Sequence, residues 1–287
     1  MAETGVKVVI LGAGGLVGAR MSQTLVEMEQ FPVSATQSEP LKEIVLFDMR
    51  PMTELPEVVL NDPRVVQKVG DMCDKAVIEE AFSPNGATSV SVIHLAAVLS
   101  GYAEDDFDLG MKVNFYGTLD ILDCLREIGQ TLGKPQKYVF ASSDYVNCFN
   151  TTNREAPTNE ESFRLSSASY GIQKACMELM ICDYSRKGFV DGRVGRLCNV
   201  IGRPVYSNVV SYISTAIFTQ PLEGKDYGVA IPMDVKYPIS CLDNNVNCFL
   251  YLAGALEGSR MDTPDYCNRV IQLPGISVTL EEIWEAA

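Results

Sequence analysis

Tyr170 and Lys174 stand four residues apart in Ser169-Tyr170-Gly171-Ile172-Gln173-Lys174, with Ser142-Ser143 about 27 residues upstream of the tyrosine. On a helix, that offset sets two side chains on one face about a turn apart. A nearby cation favours a phenolate, and a phenol with an ordinary pKa near 10 needs such help to act as a general base at neutral pH. The same spacing also describes an ordinary helix contact. It gains chemical meaning from a glycine-rich turn near the N-terminus, which adds a site for a phosphate-bearing coenzyme and points to hydride transfer.

That turn is Gly12-Ala13-Gly14-Gly15-Leu16-Val17-Gly18, preceded by the apolar run Val6 to Leu11 and followed by a helical pattern through Met28. Strand, glycine turn and helix together make a dinucleotide cradle, here Gly12, Gly15, Leu16, Val17 and Gly18, with free N–H groups at the helix start facing a pyrophosphate. Gly12 permits the tight turn, Gly15 the approach of the phosphates, and Gly18 close helix packing. A second strand, Glu43 to Phe47, ends at Asp48, whose carboxylate can accept both ribose hydroxyls and repels a 2'-phosphate. This favours NAD over NADP, although Arg50 two residues on could meet a phosphate instead. From Gly12 to Asp48 is 36 positions, against about 20 in the short form of this unit. Residues 29 to 42, with Pro32, Ser34, Thr36, Ser38 and Pro40, are expected to form an inserted loop that takes up the excess.

Val65 to Val69 leads into Gly70-Asp71-Met72, and Ser91 to Leu95 leads into Ala96-Ala97. Both read as buried parallel strands whose carboxyl ends meet the coenzyme. Asp71 is placed to accept from an adenine amino group, and Met72, Leu95, Ala96 and Ala97 to form a low wall along the dinucleotide. His94, the single histidine, sits within an apolar strand and reads as structural; no metal-binding constellation is present. A long helix begins near Asp106, carries Asn114 and continues through Leu125. Lys137 to Ala141 is a strand ending at the serines, and Ala168 to Tyr184 is the helix bearing Tyr170 and Lys174. Between these two elements, the polar stretch Asn153 to Ser162 reads as a loop. Another strand lies within Asp191 to Val200, after which the rhythm breaks at Gly202-Arg203-Pro204.

The fold expected is α/β, a doubly wound parallel sheet of the Rossmann type with a small discontinuous substrate-binding region. Residues 1–202 would be mainly the dinucleotide-binding domain, and residues 203–287 mainly the substrate-binding region, with segments returning to the core. At its end, Thr279 followed by Glu282 predicts a capped helix.

The chain has 287 residues, 47% of them hydrophobic, enough for a large core. Its formal net charge of -14 works against nucleic acid and anionic membrane surfaces as partners. No apolar stretch reaches membrane-spanning length, the N-terminus lacks the basic flank of a secretory signal, and nine cysteines lack Cys-x-x-Cys spacing. A cytoplasmic protein with free thiols is expected.

The glycine pattern, Asp48, Gly70-Asp71, His94-Leu95-Ala96-Ala97, Asn114, Ser143 and Tyr170-x-x-x-Lys174 resemble the extended short-chain dehydrogenase/reductase family, which includes nucleotide-sugar epimerases. Three longer blocks, Val98 to Gly110, Asp183 to Gly192 and Leu273 to Thr279, look like the D-erythronate dehydrogenases and their four-carbon sugar-acid relatives. The resemblance implies that Tyr170 takes the proton from a secondary alcohol while hydride leaves the same carbon for NAD. Lys174 would bind the nicotinamide ribose and lower the tyrosine pKa, Ser143 would hold the substrate oxygen, and Asn114 would support the lysine through an ordered water. The implied partner is a small-molecule sugar acid, oxidised at C2 to a 2-oxo acid. Ser100, Ser143, Asn199 and Arg203 are candidates to hold it beside Tyr170.

The sequence departs from the family's pattern at Ser143-Asp144-Tyr145-Val146-Asn147-Cys148, which brings Asp144 to the pocket mouth. It departs again at Arg203-Pro204-Val205, and at Arg196-Leu197-Cys198-Asn199, a block similar to one in sugar epimerases. An epimerase or dehydratase acting on a UDP-sugar therefore stays open, as does a nonenzymatic NAD sensor. The resemblance implies a further helix or more past the position of Ala287, and a homodimer formed through the long helices at residues 106 to 129 and 168 to 187; packing of their apolar residues on the sheet is the alternative.

Overall fold

The computed structural model describes residues 4–147, 159–160, 162–203, 212–229, 231–263 and 266–286. Most of the expected polar loop at residues 153 to 162 lies outside these, as do Cys148, Pro204 and Val205.

β1, Val6–Leu11, is buried at every position, the mark of a strand covered on both faces. Even Lys7 is interior, its ammonium reaching Ser83 O at 2.7 Å and Glu43 at 2.9 Å. The chain continues through α1 (Leu16–Val26), β2 (Gln30–Pro32), β3 (Ser38–Asp48), α2 (Glu57–Leu60), β4 (Val65–Val69), α3 (Lys75–Phe82) and β5 (Ser89–His94). Next come α4 (Ser100–Asp105), α5 (Phe107–Gly110), a π-helical segment (Met111–Gly117) and α6 (Thr118–Leu132). β6 (Gln136–Ser143), a 3-10 turn (Asp144–Asn147), α7 (Ser169–Arg186), β7 (Val190–Leu197) and β8 (Asn199–Val200) complete the first two thirds. The remainder holds α8 (Ile213–Leu222), β9 (Lys236–Ser240), α9 (Leu242–Ala253), β10 (Asp262–Thr263), β11 (Tyr266–Cys267), β12 (Val270–Gln272), β13 (Ile276–Thr279) and α10 (Leu280–Glu285).

The main sheet runs β12-β7-β6-β5-β1-β3-β4, all parallel. Because strand side chains alternate between faces, Val8, Ile10, Ile44 and Leu46 enter one core beneath α1 and α9, while Val9, Leu11, Val45 and Phe47 enter the other beneath α3, α6 and α7. This is the Rossmann-type architecture, with β1 flanked by β3 on one side and β5 on the other. At that reversal of strand order, the carboxyl ends leave a crevice.

Two expectations change. Residues 29 to 42 are a β-hairpin rather than a loop: β2 pairs antiparallel with the start of β3, Phe31 is buried, and Ser34 Oγ accepts from the backbone of Gln37 across the turn. The insertion thus lengthens β3 backwards and keeps its backbone polar groups paired. β4 is an edge strand and not a buried one, since only β3 covers it, and Val66 and Val69 are left exposed.

The C-terminal part returns β12 and α9 to the main body and builds a separate three-stranded sheet, β13-β9-β8. Ile217, Ile239, Leu280 and Ile283 form its small core. Thr279 and Glu282 cap α10 reciprocally, with Glu282 N donating to Thr279 Oγ1 at 3.0 Å and Thr279 N to Glu282 Oε2 at 2.7 Å. Among the described residues, no helix is long and apolar enough to cross a membrane.

Phe249 is fully buried where α9 closes the first core. Phe249→Ala is expected to lower the unfolding free energy by about 3–5 kcal/mol, read from the urea midpoint at unchanged slope.

Candidate functional site

The crevice holds a cavity of about 490 Å³ that runs from the glycine turn to the end of β8. At one end, Gly12 takes φ +89°, folding the chain so that Gly12 N and Ala13 N donate to Phe47 O. A Cβ at Gly18 would stand 2.3 Å from Gly12 O, so only glycine lets α1 press onto the turn. A Cβ at Gly15 would meet nothing nearer than Gly12 O at 3.3 Å, which leaves the cradle open to the cavity. Leu16 and Val17 line it beside Gly15. Asp48 closes this end: Oδ2 accepts from Gly14 N at 3.0 Å and Oδ1 from Arg50 N at 3.2 Å, while the Arg50 residue itself is exposed.

Asp71, Met72, Leu95, Ala96 and Ala97 form the adjoining wall. Asp71 already accepts from Cys73 N at 2.9 Å and meets Lys112 at 3.2 Å, and these donors hold its carboxyl below the ordinary range, the backbone bond most strongly. The donor-rich turn, the acceptor at Asp48 and the low wall fit a dinucleotide. Among the described residues, no group of three or more His, Cys, Asp or Glu could hold a metal ion. His94 is interior, sharing a 2.6 Å hydrogen bond with Tyr138 OH, and burial pushes its pKa down to about 3.

At the other end, Ser100, Ser143, Asp144, Tyr145, Tyr170, Lys174, Asn199 and Arg203 line the same cavity. α7 delivers Tyr170 and Lys174, and Gly171 lets its first turn come close. A Cβ there would lie 2.4 Å from Tyr145 O. Tyr170 packs edge-on to Tyr145, ring centroids 6.2 Å apart, and Ser143 lines the cavity beside it. Ser143 Oγ also donates to Asp144 Oδ1 at 3.1 Å.

Asn114 is the one predicted site residue outside the cavity wall. It is buried in the π-helical segment, a local widening that often marks functional sites. Its carbonyl accepts from Val98 N at 2.8 Å, and its amide donates to Val98 O at 2.9 Å and Gln173 Oε1 at 2.8 Å. Asn114 therefore fixes the strand-end loop to the neighbour of Lys174 and makes no direct bond to the lysine.

The charges around Tyr170 and Lys174 come from several elements. Lys174 Nζ donates to Ala141 O at 2.8 Å, lies 4.2 Å from the Phe140 ring centroid, and is pushed down to about 7 by burial, against the opposing pull of Glu178. It lies over the Tyr170 ring, 5.6 Å from its centroid. Burial drives the Tyr170 hydroxyl well above its ordinary value and the Asp144 carboxylate raises it further, whereas Arg203 and Ser143 pull it down. Arg203, placed by the chain just after β8, is thus one cation that favours the phenolate.

A buried network behind the site is absent from the sequence reading. Ser142 Oγ donates to Glu178 Oε1 at 2.6 Å, Arg196 grips both oxygens of Glu178 at 2.8 and 2.7 Å, and Arg164 Nε reaches Oε2 at 2.6 Å. The signal was available: Glu178 follows Lys174 by four residues and so shares its face of α7. Arg196 is fully buried and committed to this carboxylate, so the epimerase-like block supplies no cation to the cavity.

A model of the NAD dependent epimerase/dehydratase family matches residues 8–257. Over 282 residues the chain is 34% identical to the D-erythronate dehydrogenase of Cupriavidus necator, covering 97% of this chain and 80% of that one. It is 31% identical over 278 residues to the D-erythronate dehydrogenase of Haemophilus influenzae, covering 96% and 80%. The solved nucleoside-diphosphate-sugar epimerase from Agrobacterium tumefaciens superposes with a TM-score of 0.82 at 28% identity, over 97% of this chain and 76% of that one.

Burial dominates the shift at Asp144, pushing its carboxyl up to about 6. A carboxyl raised in the folded state adds most stability below its unfolded pKa of 3.8, and that contribution is lost as pH rises through 6. Asp144→Asn should therefore stabilise the protein by about 1–2 kcal/mol at pH 7.5, after discounting for partial exposure, and by nothing at pH 4. Thermal unfolding at the two pH values measures the difference.

Proposed function

The chain belongs to the NAD dependent epimerase/dehydratase family, and on that premise we propose that it oxidises a short-chain sugar acid at C2, with NAD as hydride acceptor. D-erythronate or a related four-carbon 2-hydroxy acid is the substrate, and the 2-oxo acid the product. The observation carrying this reading is the single cavity that joins the glycine turn and Asp48 to Ser143, Tyr170, Lys174 and Arg203. The two D-erythronate dehydrogenases, similar over nearly the whole chain, support it.

NAD, when bound, supplies the acceptor for hydride. Gly12, Gly15, Gly18 and the N–H groups at the start of α1 hold its pyrophosphate, Asp48 its adenosine ribose, and Lys174 its nicotinamide ribose. Tyr170 takes the proton of the C2 hydroxyl. Ser143, on the same cavity wall as Tyr170, holds the same oxygen in line as it becomes a carbonyl. Arg203 serves twice, favouring the phenolate and pairing with the substrate carboxylate, while Asn199 and Ser100 complete the polar wall. Residues 203 to 287 are read as mainly the substrate-binding region, and among the described residues Arg203 is the one of them that lines the cavity.

An NADH-absorbance screen over C3 to C6 sugar acids, with UDP-glucose as control, tests the reading. Turnover is expected with a four-carbon acid, with at least about 100-fold loss in Tyr170→Phe. Turnover of the UDP-sugar alone would transfer the site to epimerase chemistry, and undiminished activity in Tyr170→Phe would remove the tyrosine from its role.

A homodimer formed through the outer faces of α6 and α7 belongs to the same proposal. Ile172 and Leu179, two turns apart on α7, stay half exposed, and Tyr116 beside them is 57% exposed. Sedimentation should give a dimer for the natural chain and a monomer for Leu179→Glu.

A further inference from the structure

Asp144 follows Ser143 directly, at the first position of the 3-10 turn, and its side chain borders the reacting end of the cavity. Among the described residues, no lysine or arginine lies within ion-pair distance of it. Among the described residues its carboxylate accepts one side-chain hydrogen bond, to Oδ1 from the Ser143 hydroxyl at 3.1 Å, and the Tyr145 N–H donates to Ser143 Oγ. An ionised carboxylate has about four lone-pair sites and no donor of its own. Acceptor capacity is left over on a residue that lines the cavity, and no other side chain among the described residues donates to it.

A substrate carboxylate would be repelled there, and the cation available to receive one is Arg203. Asp144 and Arg203 act on the Tyr170 hydroxyl with opposite sign, so the reacting carbon lies under the influence of an acceptor as well as a cation. The group that completes an acceptor of this kind is a hydroxyl.

We infer that Asp144 accepts a hydrogen bond from a substrate hydroxyl neighbouring the carbinol that is oxidised, so that the site selects polyhydroxy acids over plain 2-hydroxy acids. This rests on the reading of the chain as a hydroxy-acid dehydrogenase. An analogue lacking that hydroxyl leaves the carboxylate buried and incompletely paired, which is the basis on which a polar pocket rejects a deoxy substrate. A hydrogen bond to a charged group corresponds to about 10- to 100-fold in kcat/KM.

The test compares NADH formation from 2,3,4-trihydroxybutanoate and 2-hydroxybutanoate, which share the carboxylate and the reacting carbinol, in the natural protein, Asp144→Ala and Asp144→Asn. The natural protein should prefer the trihydroxy acid by about 100-fold. Asp144→Ala should lose at least about 10 times more on the trihydroxy acid than on the deoxy acid, and Asp144→Asn, which keeps an acceptor oxygen, should recover part of the preference. Equal kcat/KM for the two acids in the natural protein would overturn the inference while leaving the dehydrogenase reading intact, whether or not the variants fold. Equal losses on both acids in Asp144→Ala would do the same. A preferred 2-amino-3-hydroxy acid would assign the carboxylate to an ammonium and also overturn it. If no hydroxy acid yields NADH, the dehydrogenase reading itself falls, and this inference with it.

Discussion

One buried carboxylate holds the reacting groups in register. Glu178 on α7 accepts from Ser142 at the end of β6, from Arg196 on β7 and from Arg164 on the approach to the helix. Each donor belongs to a different piece of chain, and Ser142 is covalently joined to Ser143. Any slip of α7 along the sheet would break this set. Such a buried pair adds little net stability, because desolvation offsets the attraction, but removing one partner costs about 3–5 kcal/mol. Its value is positional. A displacement of about 1 Å at a reacting centre can cost on the order of 100-fold in rate.

The coenzyme end depends on a different constraint, the reversal of strand order at β1. With β3 and β5 on opposite sides of β1, the loops after these strands part and leave a crevice at their carboxyl ends. The glycine turn fills the floor of that crevice, Asp48 its flank, and Ala96-Ala97 its low wall. β6 and α7 then extend the same crevice toward the serine and tyrosine, so the glycine turn and the Ser143, Tyr170 and Lys174 cluster share one continuous surface. The π-helical segment contributes from behind, spending the Asn114 amide on Val98 and Gln173 to fix two walls at once.

Charge near the phenol is balanced, and not simply supplied by the neighbouring lysine. Burial raises the cost of ionising Tyr170, Asp144 adds to it, and Arg203 and Ser143 reduce it. Lys174 is held against Phe140 and the Ala141 carbonyl, where burial weakens its own charge and Glu178 restores part of it. One cation acting on the phenol, Arg203, therefore comes from the start of the C-terminal third.

Sequence alone was enough for the elements and the chemistry types. Val6 to Leu11 with its glycine turn, the acid at a strand end and the Tyr-Lys helix are local patterns, each written in adjacent residues by backbone sterics or by periods of two and 3.6. The Thr279–Glu282 cap was readable for the same reason. Residues 29 to 42 were harder, because a polar, proline-bearing stretch signals turn chemistry without revealing which strand it pairs with. Only the tertiary structure decided that β2 and β3 form a hairpin, that β4 lies at an edge, that Arg203 joins Tyr170 and Lys174 on one cavity, and that Glu178 collects Ser142, Arg164 and Arg196. These are matters of distance and desolvation between residues far apart in the chain, and no local spacing encodes them.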